Sequence, residues 1–169
     1  MKIGDLDFNG GYVGEASIDR CYVGDTLVWQ RIMPASNEIW YTTTNGYPDT
    51  LFDWDAQQGA FGVNLISNTY RERGVAAFDG DITRISSFSM DGDRLLTSIT
   101  LPSTVTALSV FWLIPYLVSM TCFATTPPQV SSGLFTDTPI QHIYVPAAAV
   151  DAYKAAEGWS DYASIIEAI

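Results

Sequence analysis

"LTSITLP", residues 96–102, is a short alternating run closed by a proline. Ile99 and Leu101 fall on one side of an extended chain, and Thr97, Ser98 and Thr100 are left for the other. Nothing in the stretch is chemical, so its meaning depends on whether it recurs. It does: "SMTCF" repeats the apolar-polar-apolar pattern at Met120 and Cys122, "HIYVP" at Ile143 and Val145, and "VAAFDG" more weakly at Ala76 and Phe78. The steps from Ala76 to Ile99, Ile99 to Met120 and Met120 to Ile143 are 23, 21 and 23 residues.

A period of that length is in the leucine-rich range. The intervening segments carry their own apolar residues: Ile82, Ile85, Phe88 and Leu95, then Val105, Leu108, Phe111 and Leu117, then Val130, Leu134, Phe135 and Ile140. Each turn thus predicts one strand and one return, stacked so that neighbours bury a continuous core. Pro102 and Pro146 close their strands at one register, where a missing N–H does least harm. After them, "PAAAVDAYKAAEGWSDYASIIEAI" predicts a helix from about Ala147 to Ala156, a break at Gly158 and a second helix opened by Ser160 or Asp161. The expected fold class is β-rich (α+β): a short leucine-rich-repeat β-solenoid with a C-terminal helical cap at about 147–169.

The front of the chain differs. "GYVGEASIDRCYVGDTLVWQRI" holds "YVG" at Tyr12 and again at Tyr22, and predicts two small hairpins with Gly14 and Gly24 at turns. "MPASN" is a short linker before the strand "EIWYTT". The expected organisation is therefore an N-terminal β-hairpin attachment module at 1–33 and a repeat domain at 34–169. "LFDWDAQQGAFGVNLISNTY" has mixed periodicity and enough apolar residues to cover the first turn as an N-terminal cap.

The 169 residues carry 19 acidic side chains against 8 Lys and Arg, a net charge of −11. Such a chain is a poor ligand for nucleic acid or anionic lipid. The longest apolar run, "LSVFWLIPYLV", is broken by Ser109 and Pro115 and is too short to span a bilayer. The N-terminus lacks the apolar run of a secretory signal. Cys21 and Cys122 are read as inert strand thiols.

"EIWYTTTNG", "AFGVNLISNTYRERGVAAFDGDITRI", "LLTSITLPSTVTAL", "CFATTPPQV" and "IYVPAAAVDAYKAAEGWSDYASIIEAI" together resemble the BspA-like leucine-rich repeats of Bacteroidales and their mobile elements, over about residues 38–169. The resemblance implies a strand-plus-return repeat, a surface setting and a role in protein–protein contact. "IDRCYVGDTLVW" is similar to short β-modules at the front of bacteriophage structural proteins. With no secretion signal, the two together imply a non-enzymatic structural or accessory protein of a Bacteroidales phage virion. Its partners would be other virion proteins, further copies of itself, or a host surface protein or glycan. The alternative is a bacterial cell-surface adhesin of the same repeat family. A third class is a carbohydrate-binding module using Trp40, Tyr41, Tyr47 and Trp54.

The candidate site is the departure from the family pattern. In "SVFWLIPYL", Phe111 and Leu117 fit inward positions, but Trp112, Ile114, Pro115 and Tyr116 stand where BspA-like repeats are usually polar. They are either repacked core, contact with the N-terminal module, a patch that meets another chain, or a membrane contact. Tyr12, Tyr22 and Trp29 are the corresponding interface candidates of the N-terminal module. Asp79-Gly80-Asp81 and Asp91-Gly92-Asp93 lack the loop spacing and closing Glu of a calcium site, and read as turns. His142 sits between strand residues, Asp53 and Asp55 carry no geometry, and no phosphate-cradling motif is present. No enzymatic role, cofactor or metal is expected.

Overall fold

The computed structural model describes residues 2–3, 6–7, 12–13, 16–17, 20–23, 26–30, 33–57, 59–86, 95–109, 111, 113–131 and 133–169, with side chains from residue 33 on, 51 and 54 excepted. The chain divides into two compact units, Met1–Met33 and Pro34–Ile169.

The first unit holds three antiparallel ribbons where the sequence predicted two hairpins: β1 (Lys2–Ile3) with β2 (Leu6–Asp7), β3 (Tyr12–Val13) with β4 (Ala16–Ser17), and β5 (Arg20–Val23) with β6 (Thr26–Gln30). The innermost pairs are Ile3↔Leu6, Val13↔Ala16 and Val23↔Thr26, one register repeated three times. The sequence signal is an apolar-Gly-acidic triplet, "IGD", "VGE" and "VGD", recurring every ten residues. Gly14 and Gly24 lie outside the described residues.

The second unit is built from β7 (Glu38–Thr43), α1 (Leu51–Gln57), β8 (Leu65–Tyr70), β9 (Gly74–Phe78), β10 (Arg84–Ile85), β11 (Leu96–Leu101), β12 (Ala107–Leu108), β13 (Ser119–Cys122), β14 (Gln129–Val130), β15 (His142–Val145), α2 (Val150–Ala155) and β16 (Ile166–Ala168). A seven-stranded sheet runs β16-β15-β13-β11-β7-β9-β8, and a three-stranded parallel sheet runs β10-β12-β14. The pairings β11/β13, β13/β15 and β15/β16 are parallel, while β11/β7, β7/β9 and β8/β9 are antiparallel.

This corrects the expected fold: the unit is a mixed α/β arrangement of one mixed and one parallel sheet, not a leucine-rich-repeat solenoid of like turns. Two local facts overturn it. Ala76, taken as the first recurring strand, pairs with Ile39 of β7, and β7 stands between its strand and β11. The expected helical cap shrinks to a 3-10 turn (Ala147–Ala149), the short α2 and a second 3-10 segment (Ser160–Ile165), after which Ile166 joins β15 as a strand. Gly158, with φ of +77°, makes the bend between them, and a Cβ there would come within 2.4 Å of Val130 Cγ2.

One inward row crosses five strands in direct register: Tyr41, Ile99, Met120, Ile143 and Ile166. Each is 2 % exposed or less. Behind it, Ile85 and Leu108 of the small sheet, with Phe111, Leu117, Leu134 and Trp159, close the core. Alternation forces the remaining strand residues, mostly Ser and Thr, to the opposite face.

Candidate functional site

Two surfaces of the second unit stand out. The first is the segment 113–118 between β12 and β13. Phe111, Ile114 and Leu117 have no exposed surface, whereas Leu113 is 38 %, Tyr116 49 % and Val118 38 % exposed, with Pro115 exposed between them. Ile114 therefore belongs to the core and not to a displayed patch, because an inward residue every third position is what holds the loop down. Trp112 lies outside the described residues, as do the side chains of Tyr12, Tyr22 and Trp29.

The backbone of this loop is tied to the next one. Phe111 N–H donates to Leu134 O (2.6 Å), Leu113 N–H to Thr136 O (3.3 Å) and Ile114 N–H to Thr138 Oγ1 (3.3 Å), and that hydroxyl donates to Phe111 O (2.9 Å). Leu113 is held at φ of +55° and Asp137, in the facing loop, at +53°. A bulky side chain in the left-handed region costs about 1–2 kcal/mol, so the surrounding bonds impose the conformation. The result is a shaped apolar projection.

The second surface is the outer face of the large sheet. Trp40, Thr100, Thr121, Tyr144 and Glu167 form one row in direct register, and Thr42, Ser98, Ser119 and His142 form another. Thr42 Oγ1 lies 2.6 Å from both Thr97 Oγ1 and Ser98 Oγ, a closed hydroxyl cluster. At one end the Arg73 guanidinium lies 3.5 Å over the Trp40 ring, whose Nε1–H donates to Glu38 Oε2 at 3.0 Å. At the other, His142 Nδ1–H donates to Glu167 Oε1 at 3.0 Å, and the His142 and Tyr144 rings lie parallel, 5.8 Å apart.

Ser119, His142 and Glu167 thus fall in the strand order of a nucleophile triad. Among the described residues no hydrogen bond joins Ser119 to His142, so the nucleophile–base contact of a triad is not made here. The acidic pair fares similarly. Asp53 is exposed on α1 while Asp55 is 6 % exposed, so the two carboxyls do not face one cavity. The shallow cleft beside Asp53, lined also by Ala56, Gln57, Asn64 and Leu65, holds about 270 Å³.

Asp79 is engaged as a turn residue: Asn64 N–H and Nδ2 donate to its two oxygens at 2.8 and 2.7 Å, which holds its carboxyl below the usual range. Asp81 Oδ1 accepts from Ser36 Oγ at 2.6 Å. Asp91-Gly92-Asp93 lies outside the described residues, and among the described residues no group of three or more His, Cys, Asp or Glu could hold a metal ion. Cys122 is fully buried, and burial pushes its thiol up. No described helix is long and apolar enough to cross a membrane.

The four aromatics expected to bind carbohydrate do not share a surface. Tyr41 is 1 % exposed in the core, on the opposite side of β7 from Trp40, and Tyr47 is 69 % exposed in the following turn. The side chain of Trp54, in α1, lies outside the described residues. The sequence signal of the row containing Tyr144 is a residue alternating with each recurring apolar one: Thr100 beside Ile99, Thr121 beside Met120 and Tyr144 beside Ile143. No protein-family model matches the chain, and no curated protein does.

Proposed function

We propose that the chain is a non-enzymatic structural or accessory protein of a Bacteroidales phage virion, working through protein–protein contacts. The observation that carries the reading is the 113–118 projection: exposed Leu113, Pro115, Tyr116 and Val118 on a backbone fixed by Phe111, Ile114, Leu117 and the bonds to residues 134–138. A preshaped apolar cluster with an aromatic anchor has the character of a contact hot spot. The virion address comes from the likeness of the front residues to phage β-modules, whose ten-residue recurrence forms the first unit.

Mass spectrometry of purified particles from the phage that encodes the chain tests the address, with peptides of this protein expected at structural abundance. Particles without it refute the address. Leu113→Ser with Tyr116→Ser tests the contact. Incorporation is expected to fail while the melting temperature moves by no more than about 2–3 °C, because both side chains face solvent. Normal incorporation of this variant would remove the projection as the contact.

A further inference from the structure

We infer that β8 is a self-association edge, through which two copies of the chain pair antiparallel about a two-fold axis. β8 closes one side of the seven-stranded sheet, and β9 is its one strand neighbour among the described residues. Arg71 N–H donates to Arg73 O at 3.1 Å, the bond just beyond the pair Tyr70↔Gly74. Antiparallel alternation then turns the main chain of Thr69 towards β9 and leaves that of Asn68 and Tyr70 on the open side. Ile66 is 67 % exposed, and Ser67 and Thr69 are exposed as well, so the edge faces solvent.

The other sheet edges of the unit are built differently. β16, at the far end of the large sheet, has three residues and carries Glu167, while β10 and β14, at the sides of the small sheet, have two residues each. Short and charged edges resist pairing. β8 has six residues, "LISNTY", without charge, proline or glycine. A bulge at Leu65/Ser67 interrupts its start, and Ser67 to Tyr70 run in regular register. An uncharged run of β-forming residues on an open edge has the composition of a segment that pairs.

Charge identifies the occupant. Each copy carries −11, so a second copy is repelled wherever it meets an ordinary acidic face. β8 is neutral, and its two ends are opposite in sign. After its C-terminal end stands Arg71, exposed, whose guanidinium makes no ion pair or hydrogen bond with a described residue. Beside its N-terminal end stand Asp53, exposed in the cleft it shares with Asn64 and Leu65, and Asp79, bonded to Asn64. In an antiparallel pair centred on Asn68, Arg71 of one copy falls opposite Leu65 of the other, and the two-fold axis makes that contact twice. Parallel pairing would instead bring like ends together. β8 shares no residue with the 113–118 projection, so this pairing stands or falls apart from the virion address.

Sedimentation velocity on the intact protein, over a dilution series from high to sub-micromolar concentration, reads the association. The parent is expected to move reversibly between one and two chain masses. Ile66→Lys, which puts a charge on the neutral edge, and Arg71→Glu, which makes both end contacts repulsive, are each expected to raise the dissociation constant about tenfold. Asp53→Lys alone is expected to do the same, and combining it with Arg71→Glu to bring the constant back to within about threefold of the parent, because the swap restores complementarity. Thermal melts establish that each variant is folded, as the exposure of all three side chains leads one to expect. Pairing through β8 is refuted if the parent stays at one chain mass throughout, if the folded Ile66→Lys and Arg71→Glu variants associate as tightly as the parent, or if the double swap is no tighter than its single variants. Association lost in Leu113→Ser with Tyr116→Ser but kept in Arg71→Glu would refute it too, and would move the contact to the 113–118 projection.

Discussion

The two halves of the large sheet are made by different rules. From β11 to β16 the strands are parallel, and the row Ile99, Met120, Ile143, Ile166 advances by 21, 23 and 23 residues. From β7 to β8 the strands are antiparallel, and the core is filled by large rings: Tyr41 stacks on Phe52 at 4.6 Å, Phe52 on Phe61 at 6.0 Å, and Phe61 meets Phe78 at 4.7 Å. In the parallel half the strands themselves contribute Ile or Met to the inward row at near-equal steps, and the rings that pack there, Phe111, Phe135, Tyr153 and Trp159, come from the loops and the C-terminal segment. The antiparallel half needs aromatic volume beneath a short helix and a bulged edge strand. The difference teaches that a constant spacing specifies a parallel ladder only where each strand also lies beside the next.

Ile99 is the seam, in register with Tyr41 on one side and Met120 on the other, and it has no exposed surface. Ile99→Ala is expected to cost about 4 kcal/mol, because the cavity opens into both halves at once. Urea denaturation measures it, and a loss below about 1.5 kcal/mol would mean that the halves do not share a core. A change confined to the antiparallel half comes next. A Cβ at Gly74 would lie 2.2 Å from two ring carbons of Tyr41, and that ring is pinned by Phe52. Gly74→Ala is expected to cost about 3 kcal/mol through overpacking, and a near-neutral result would show that the Tyr41 ring has room to turn.

The buried phenol of Tyr41 gives a pH-dependent version of the same contrast. Its hydroxyl donates to Asn68 Oδ1 and accepts from Asp49 N–H at 3.2 Å, while Asn68 Nδ2 donates to Asp49 O at 2.8 Å. Burial pushes its pKa up to about 12. An unfolded tyrosine titrates near 10, so the folded state favours the neutral phenol. That stability is complete below pH 10 and is lost as pH rises towards 12, about 2–3 kcal/mol in all. Tyr153, which donates to Ala124 O at 2.9 Å against the parallel half, is likewise raised by burial. Comparing Tyr41→Phe with the parent by denaturation from pH 9 to 12 isolates the Tyr41 share. Identical pH slopes would show that this phenol is not buried in the native state.

What the sequence disclosed follows the same division. Ile99, Met120 and Ile143 were legible as a row because equal spacing and alternation agree there. Ile166 continues that spacing, yet "SDYASII" also satisfies a helical period, and local pattern alone does not separate a 3-10 segment feeding a strand from a helix. Ala76 has the right spacing and the wrong neighbour, because the interposition of β7 is a long-range pairing that no local period encodes. In the first unit the three ribbons were readable from the ten-residue recurrence, once Gly4 was set beside Gly14 and Gly24. At the surface, local pattern does not separate exposed Tyr116 from buried Ile114, since an apolar residue in an apolar run carries no mark of which side it faces.

The smallest expected effect sits at Leu113, at the rim of the parallel half. Its left-handed backbone costs about 1–2 kcal/mol for a residue with a Cβ. Glycine removes that cost but orders a freer chain, at about 0.5–1 kcal/mol. Its side chain is 38 % exposed, so some apolar contact is lost as well. These nearly cancel, and Leu113→Gly is expected to change stability by less than about 0.5 kcal/mol in urea. The same substitution at Leu117, which is fully buried three residues beyond Ile114, is expected to cost about 4 kcal/mol. A loss at Leu113 approaching that at Leu117 would mean that Leu113 is part of the core, and the apolar projection would lose its most strained member.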